Sequence, residues 1–258
     1  MLIDTHAHLD FPEFANDLPA LIERAAAQGV MRLITIGAGG GADSAQRAVV
    51  IAEKYPNIWC SVGRHPHDAQ QAPDLAALRD LAQHPRCVAI GETGLDFYRD
   101  WAPVDMQRAW FRAQIELALS VSKPLIIHSR AAGPECLATL QELGAGAVGG
   151  VFHCFAEDAA FAASLREINF LVSFPGALTF KKAEQLRAVA RAIPLDQIML
   201  ETDAPYMAPE PFRGRSCESA MLIETAKKLA EVHQQALEVV AESTTRNAVR
   251  LFRLPAAE

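Results

Sequence analysis

Eight short apolar runs, each followed by a longer amphipathic stretch, recur along the chain at residues 1–5, 32–38, 58–63, 88–91, 124–127, 149–152, 170–174 and 198–201. Most are continuously apolar, as strands covered on both faces require, whereas half-exposed strands alternate. The stretches between them carry helical spacing, for example at 18–28, 44–54, 75–84, 106–120 and 182–191, and Gly29 stands where the first of these should stop. Strand–helix repetition of this kind predicts a parallel sheet. Eight such units in 258 residues match the size of one closed (β/α)8 TIM barrel. The expectation is therefore an α/β chain forming a single domain over 1–258, with its active site at the C-terminal ends of the strands. A doubly wound open sheet competes, but no G-x-G-x-x-G follows the first run. Beyond residue 203 the pattern predicts two or three further helices, around 218–232, 235–241 and 246–252.

Half of the residues are hydrophobic, enough for a sizeable core. With 24 basic and 31 acidic residues the net charge is −7, which argues against a broad basic face for gripping nucleic acid. It does not exclude a nucleic-acid substrate, because bound divalent cations supply positive charge locally. The five cysteines are scattered, odd in number and without C-x-x-C spacing, which predicts reduced thiols and a cytoplasmic address. The N-terminus lacks a signal-peptide pattern, and no run reaches the ~18 apolar residues of a membrane span. Nothing in the sequence marks an interface, so a monomer is expected.

Six of the eight histidines (His6, His8, His65, His67, His128 and His153) fall at or just past the end of a predicted strand, together with Glu92 and Asp203. Eight polar residues on one rim need a reason. In an extended chain His6 and His8 point to the same side and can share one metal ion. Glu92 is flanked by Gly91 and Gly94, and its two oxygens can bridge two ions about 3.5–4 Å apart. His128 and His153 each end an apolar run and can serve a second ion. A lone histidine in such a place is more often a satisfied core residue, but two on adjacent strands beside an acid reverse those odds. Asp203 can hold a metal and take the proton of its water, whose pKa falls to near 7 on metal. Cys154 alternates with His153 and is expected to face away from the barrel axis. His65 is a candidate for orienting substrate, and Arg130, Arg213 and Arg215 are candidates for gripping an anionic group.

These residues carry a resemblance. The sequence resembles the TatD family of metal-dependent deoxyribonucleases, within the amidohydrolase-like metallohydrolases. The similarity runs almost end to end, through Asp4-Thr5-His6-Ala7-His8-Leu9-Asp10, residues 63–67, Gly91-Glu92-Thr93-Gly94-Leu95-Asp96-Phe97-Tyr98, His128-Ser129-Arg130, His153-Cys154-Phe155, residues 173–180 and Leu200-Glu201-Thr202-Asp203-Ala204-Pro205-Tyr206. The resemblance implies that His6, His8, Glu92 and Asp203 hold one ion and that Glu92, His128 and His153 hold the other. It also implies phosphodiester hydrolysis, with DNA, often shortened from a 3′ end, as the usual substrate. The chain departs from the family pattern at Arg64, Ala131, Glu157, Cys217 and Ser219. No expected ligand is lost, so these departures bear on substrate preference rather than on catalytic capacity.

The preferred expectation is a deoxyribonuclease with 3′–5′ exonuclease activity. Two divalent ions (Mg2+, Mn2+, Zn2+ or similar) would neutralise the scissile phosphate, metal-bound hydroxide would attack, and Asp203 would take the proton, with Glu92 bridging. Single-stranded DNA or 3′ ends suit an acidic protein better than a long duplex does. The alternative is a metallohydrolase of a small ester, lactone or amide. Many amidohydrolases bridge their metals with a carboxylated lysine, but Lys123 lies before its strand, on the wrong side of a barrel. A non-catalytic binding barrel is disfavoured by the intact ligand set.

Overall fold

Parallel pairing links eight strands in strict chain order: β1 (Leu2–Ala7), β2 (Val30–Gly37), β3 (Ile58–Val62), β4 (Cys87–Asp96), β5 (Leu125–Arg130), β6 (Gly150–Phe152), β7 (Phe170–Phe174) and β8 (Ile198–Leu200). The structure, a computed structural model, describes residues 1–255. The seam is drawn together just beyond β8. Ala7 bridges Ala204 in parallel sense, the His8 N–H donates to the Ala204 carbonyl at 2.8 Å, and the Asp203 N–H donates to the His6 carbonyl at 2.9 Å. The result is a nearly closed (β/α)8 barrel, as the strand–helix repetition predicts.

Helices α1 (Leu18–Ala27), α2 (Ser44–Lys54), α3 (Ala76–Ala82), α4 (Val104–Val121), α5 (Gly133–Glu142), α6 (Ala159–Glu167) and α7 (Glu184–Ala192) follow the first seven strands, and α8 (Leu222–His233) and α9 (Leu237–Phe252) follow the last. Two expectations need correction. The predicted segments 235–241 and 246–252 merge into one helix, α9, which starts at Leu237 and runs unbroken through residues 242–245, where the Thr244 hydroxyl donates back to the Val240 carbonyl of the same helix. The fourth strand runs to Asp96 rather than stopping at 91, so Glu92 lies inside it. No described helix is long and apolar enough to cross a membrane.

Alternate strand residues serve two cores. Ile3, Ile34, Ile36, Ala89, Ile126, Val151, Leu171 and Met199 form one buried cluster, closed by Phe252 and Leu254 from the C-terminal segment. This is the packed interior of a barrel, filled in layers. Their neighbours Leu33, Ile58, Ile90, Leu125, Ile127, Val172 and Ile198 pack outward against the helices. Along β5 and just past the ends of β6 and β8 this period of two carries His128, His153 and Glu201 to the inner side, and the seam contact of the Asp203 N–H with the His6 carbonyl holds Asp203 beside them. On β1 and β4 the same period would carry His6, His8 and Glu92 outward, in step with Leu2 and Ile90.

Bulges reverse that outcome. The pairing of β1 with β2 shifts register between Asp4 and Ala7, and that of β4 with β5 shifts between Ile90 and Thr93. One extra residue in a strand flips every later side chain to the other face. The β4 bulge needs glycine. Gly91 and Gly94 both have φ +140, and a Cβ on them would lie 2.5 Å from the Ile126 carbonyl oxygen and 2.0 Å from that of His128.

Candidate metal and catalytic centre

A cavity of about 600 Å³ opens at the C-terminal ends of the strands, lined by His8, His65, His67, Glu92, Asp96, His128, His153 and Asp203 among others. Glu92 is its buried centre, 2 % exposed. Its Oε1 lies 2.8 Å from His153 Nε2, 2.9 Å from His128 Nδ1 and 3.2 Å from His65 Nε2. Its Oε2 lies 3.3 Å from His6 Nε2 and 3.7 Å from His8 Nε2. Asp203 Oδ1 closes the second side, 3.7 Å from His6 Nε2 and 3.6 Å from His8 Nε2. The structure thus brings together the six residues that the sequence singles out as metal ligands. Two triads, His6–His8–Asp203 and Glu92–His128–His153, each have ligand atoms within 4.8 Å of one another.

Hydrogen bonds assign ring protons. His128 Nε2 sits 3.0 Å from Asp96 Oδ2, so it carries the proton there and leaves its Nδ1 lone pair facing Glu92. A lone pair and a carboxylate 2.9 Å apart need a proton or a cation between them. His6 Nδ1 and Nε2, His8 Nδ1 and His153 Nδ1 are buried without a hydrogen-bond partner among the described residues. Orphaned nitrogens of this kind cost about 1–3 kcal/mol each unless something binds them. Mixed imidazole and carboxylate donors, buried and partly orphaned, fit divalent cations. His65 differs. Its Nδ1 accepts the His67 N–H at 3.1 Å, so its Nε2 bears the proton and acts as a donor.

The electrostatics agree with a site built for positive charge. Burial alone would raise Glu92, but His153, His65 and His128 hold it well below the ordinary carboxylate range. Asp203 is lowered in the same way, burial being outweighed by His8, His6 and His153. Burial opposes charge on His153 too, yet Glu92 pushes it up to about 10. His6, buried and next to His153, falls to about 4. Without an ion, protons on some imidazoles balance the carboxylates.

Three residues escaped the sequence reading or contradict it. Asp96 holds both His67 Nε2 (2.7 Å) and His128 Nε2 (3.0 Å) on Oδ2, while its Oδ1 accepts the Tyr98 and Arg99 N–H groups. Glu201, fully buried, accepts the Cys154 N–H and the Ser173 hydroxyl, with Oε1 3.8 Å from His153 Nδ1. Its place two residues before Asp203, on the same side of an extended chain, was the available signal. Cys154 does not face away: its Sγ lies 3.6 Å from Asp203 Oδ2. Strand β6 ends at Phe152 and Cys154 has φ 46, so alternation no longer applies there.

Arg130 lines the cavity, as does Arg99, whereas Arg213 lies over the Phe180 ring and Arg215 over Phe212. None of the five departures from the family pattern lines the cavity. Arg64 covers Trp110, Glu157 packs against Gly133 and Cys217 is fully buried. Lys123 Nζ donates to the Ala82 and Cys87 carbonyls, at the far end of the barrel.

Fold and donor set together define the class, a (β/α)8 barrel hydrolase. The family model described as TatD related DNase matches residues 3–253, and the chain belongs to that family. It is 42 % identical to the uncharacterized metal-dependent hydrolase YabD of Bacillus subtilis, covering 98 % of this chain and all of the relative. It is 32 % identical to the 3′-5′ ssDNA/RNA exonuclease TatD of Edwardsiella piscicida, over 98 % of this chain and all of that one. Among solved structures, the TatD homologue YJJV of Escherichia coli K12 superposes with a TM-score of 0.92 at 29 % identity, covering 98 % of both chains.

Proposed function

We propose that this protein is a divalent-metal-dependent deoxyribonuclease that shortens single strands from the 3′ end. The observation that carries the reading is the double-sided environment of Glu92. One oxygen faces His128 and His153, and the other faces His6 and His8 with Asp203 behind them. A carboxylate so placed suits two ions: His6, His8, Asp203 and Glu92 would hold one, and Glu92, His128 and His153 the other. Such ions, when bound, offset charge on phosphodiester oxygens and make water acidic enough to ionise near neutral pH. The name of the Edwardsiella relative, a 3′-5′ ssDNA/RNA exonuclease, supports a single-stranded nucleic-acid substrate and this polarity.

The chain's own groups take the remaining roles. Asp203, buried and held as a carboxylate, accepts the proton from the attacking water. The His65 Nε2–H and the Arg130 guanidinium, both at the cavity, bind the phosphate and orient it. Asp96 fixes the ring of His128 so that Nδ1 stays turned toward Glu92.

The test uses metal-stripped protein, a 5′-labelled single-stranded DNA, and Mg2+ or Mn2+. A ladder shortening from the 3′ end, absent with Glu92→Ala, is expected. No cleavage by protein that binds two ions overturns the nuclease reading and moves the search to esters and lactones. Full activity and full metal content in the variant overturn the bridging role.

A further inference from the structure

Eight large hydrophobic side chains are exposed among the described residues, and three of them are aromatic: Tyr98, Trp101 and Tyr206. All three stand around the one cavity that holds the histidine–carboxylate cluster. Trp101 and Tyr206 line it, and Tyr98 lies under the guanidinium of Arg130, which also lines it. Aromatic rings bury large areas when covered, Tyr and Trp are enriched at interfaces, and exposed apolar groups gathered at one cleft mark a binding site.

The rings form two walls. Tyr98 and Trp101 follow β4, while Phe11 and Tyr206 follow β1 and the end of β8. Strands β1 and β8 are neighbours at the seam and β4 is halfway round the barrel, so the walls face each other across the cavity. The β4 wall is cationic. Arg99 lies 5.2 Å from the Tyr98 ring and 5.3 Å from that of Trp101, and Arg130 lies 4.5 Å from Tyr98. The opposite wall is an edge-to-face pair, Tyr206 on Phe11 at 6.3 Å, with Phe11 packed at 4.7 Å on His8. The β4 wall is also tied to the cluster, since Trp101 stands edge-on to His67 at 4.3 Å and Asp96 holds both His67 and the backbone of the Tyr98–Arg99 turn.

Planar faces opposed across a polar centre, with guanidinium groups on one side, match a strand of unpaired nucleotides: bases stack on rings and phosphates meet arginine. We propose that Trp101 and Tyr206 are stacking platforms for the two nucleobases that flank the scissile phosphate, with Arg99 and Arg130 taking the adjoining phosphates. This rests on the nuclease reading for the identity of the strand. A base held flat on either ring is no longer paired or stacked on its neighbour, so the walls select frayed or single-stranded ends over blunt duplex.

The experiment has two arms, both on the Mg2+-loaded protein. In the first, kcat/KM is compared for oligothymidylates whose last two residues carry thymine or the saturated, non-planar 5,6-dihydrothymine. Wild type is expected to favour the planar base by about 10- to 100-fold. Trp101→Leu and Tyr206→Leu should each lose much of that preference, and Trp101→Phe and Tyr206→Phe should keep it. The second arm reads binding. Trp59 and Trp110 are buried, so Trp101, 56 % exposed, is the tryptophan a ligand can reach. Tetrathymidylate, with Ca2+ replacing Mg2+, should quench its emission, and inorganic phosphate should not. Equal discrimination by wild type and the leucine variants, or no quenching, overturns the proposal. If no strand is cut at all, the nuclease reading falls, and quenching alone decides whether Trp101 stacks on a base.

Discussion

Asp96 and His128 meet at 3.0 Å through Oδ2 and Nε2, on the side of the imidazole opposite to the Nδ1 that faces Glu92. The contact lets a carboxylate outside the central cluster dictate which nitrogen of His128 is free.

Asp96→Asn keeps the shape of that contact but weakens its charge and permits the other tautomer. Loss of such a partner costs 10- to 100-fold in metal affinity at many sites. The variant is expected to bind one ion as tightly as wild type and the other about 10- to 100-fold more weakly, read by titration of the apoprotein. Equal loss at both ions would show that Asp96 acts on the fold instead.

Metal binding should strengthen as pH rises. In the ion-free protein burial opposes charge on His153, His8 and His128, but neighbouring carboxylates outweigh it and raise all three, His153 to about 10. Cations require neutral imidazole, so those protons must leave, and the raised pKa values place the competition across neutral pH and above. Affinity is therefore weakest in acid and increases until His153 has titrated. Calorimetry in buffers of different ionisation enthalpy should show net proton release at pH 7. A pH-independent affinity would contradict the arrangement.

Gly94→Ala places a Cβ 2.0 Å from the His128 carbonyl oxygen at a φ of +140. Steric and backbone strain together should cost on the order of 3 kcal/mol or more. In a chain of this size that is a fall of roughly 6–12 °C in Tm. Thermal unfolding of the ion-free protein checks it, and a shift below 2 °C refutes the packing argument.

Cys154→Ser tests the thiol beside Asp203. Burial and the Asp203 and Glu201 carboxylates keep the Cys154 thiol protonated, so only a soft cation that displaces its proton gains from it. The substitution should weaken Cd2+ binding by about tenfold while leaving Mn2+, which prefers oxygen and nitrogen, near its wild-type affinity. Parallel losses for both ions would remove Cys154 from contact with the ion.

Much of this site can be read from strand period alone. From the inward Ile126, Val151 and Met199, one step of two arrives at His128, His153 and Glu201, whereas Asp203 lies three residues past the end of β8 with φ 55 and is placed by the seam. His6, His8 and Glu92 cannot be reached that way, since steps of two from Leu2 and Ile90 lead outward. Their direction depends on bulges, which arise from close approach between strands and leave only a faint mark, the glycines around Glu92. Asp96 was hidden for a related reason: its role depends on how far β4 extends past the bulge. The spacing rule failed for Cys154 because the strand ends two residues earlier.

Asp203 joins His6 and His8 only across the seam where the chain's first strand meets its last. A ribosome that has released the first 180 residues has made His6, His8, Glu92, His128 and His153, yet has made neither Asp203 nor the strand that draws the seam together. A half-synthesised chain therefore holds no complete cage for the ions. On the nuclease reading proposed above, the chain would acquire its cutting site only when the barrel has been finished and shut.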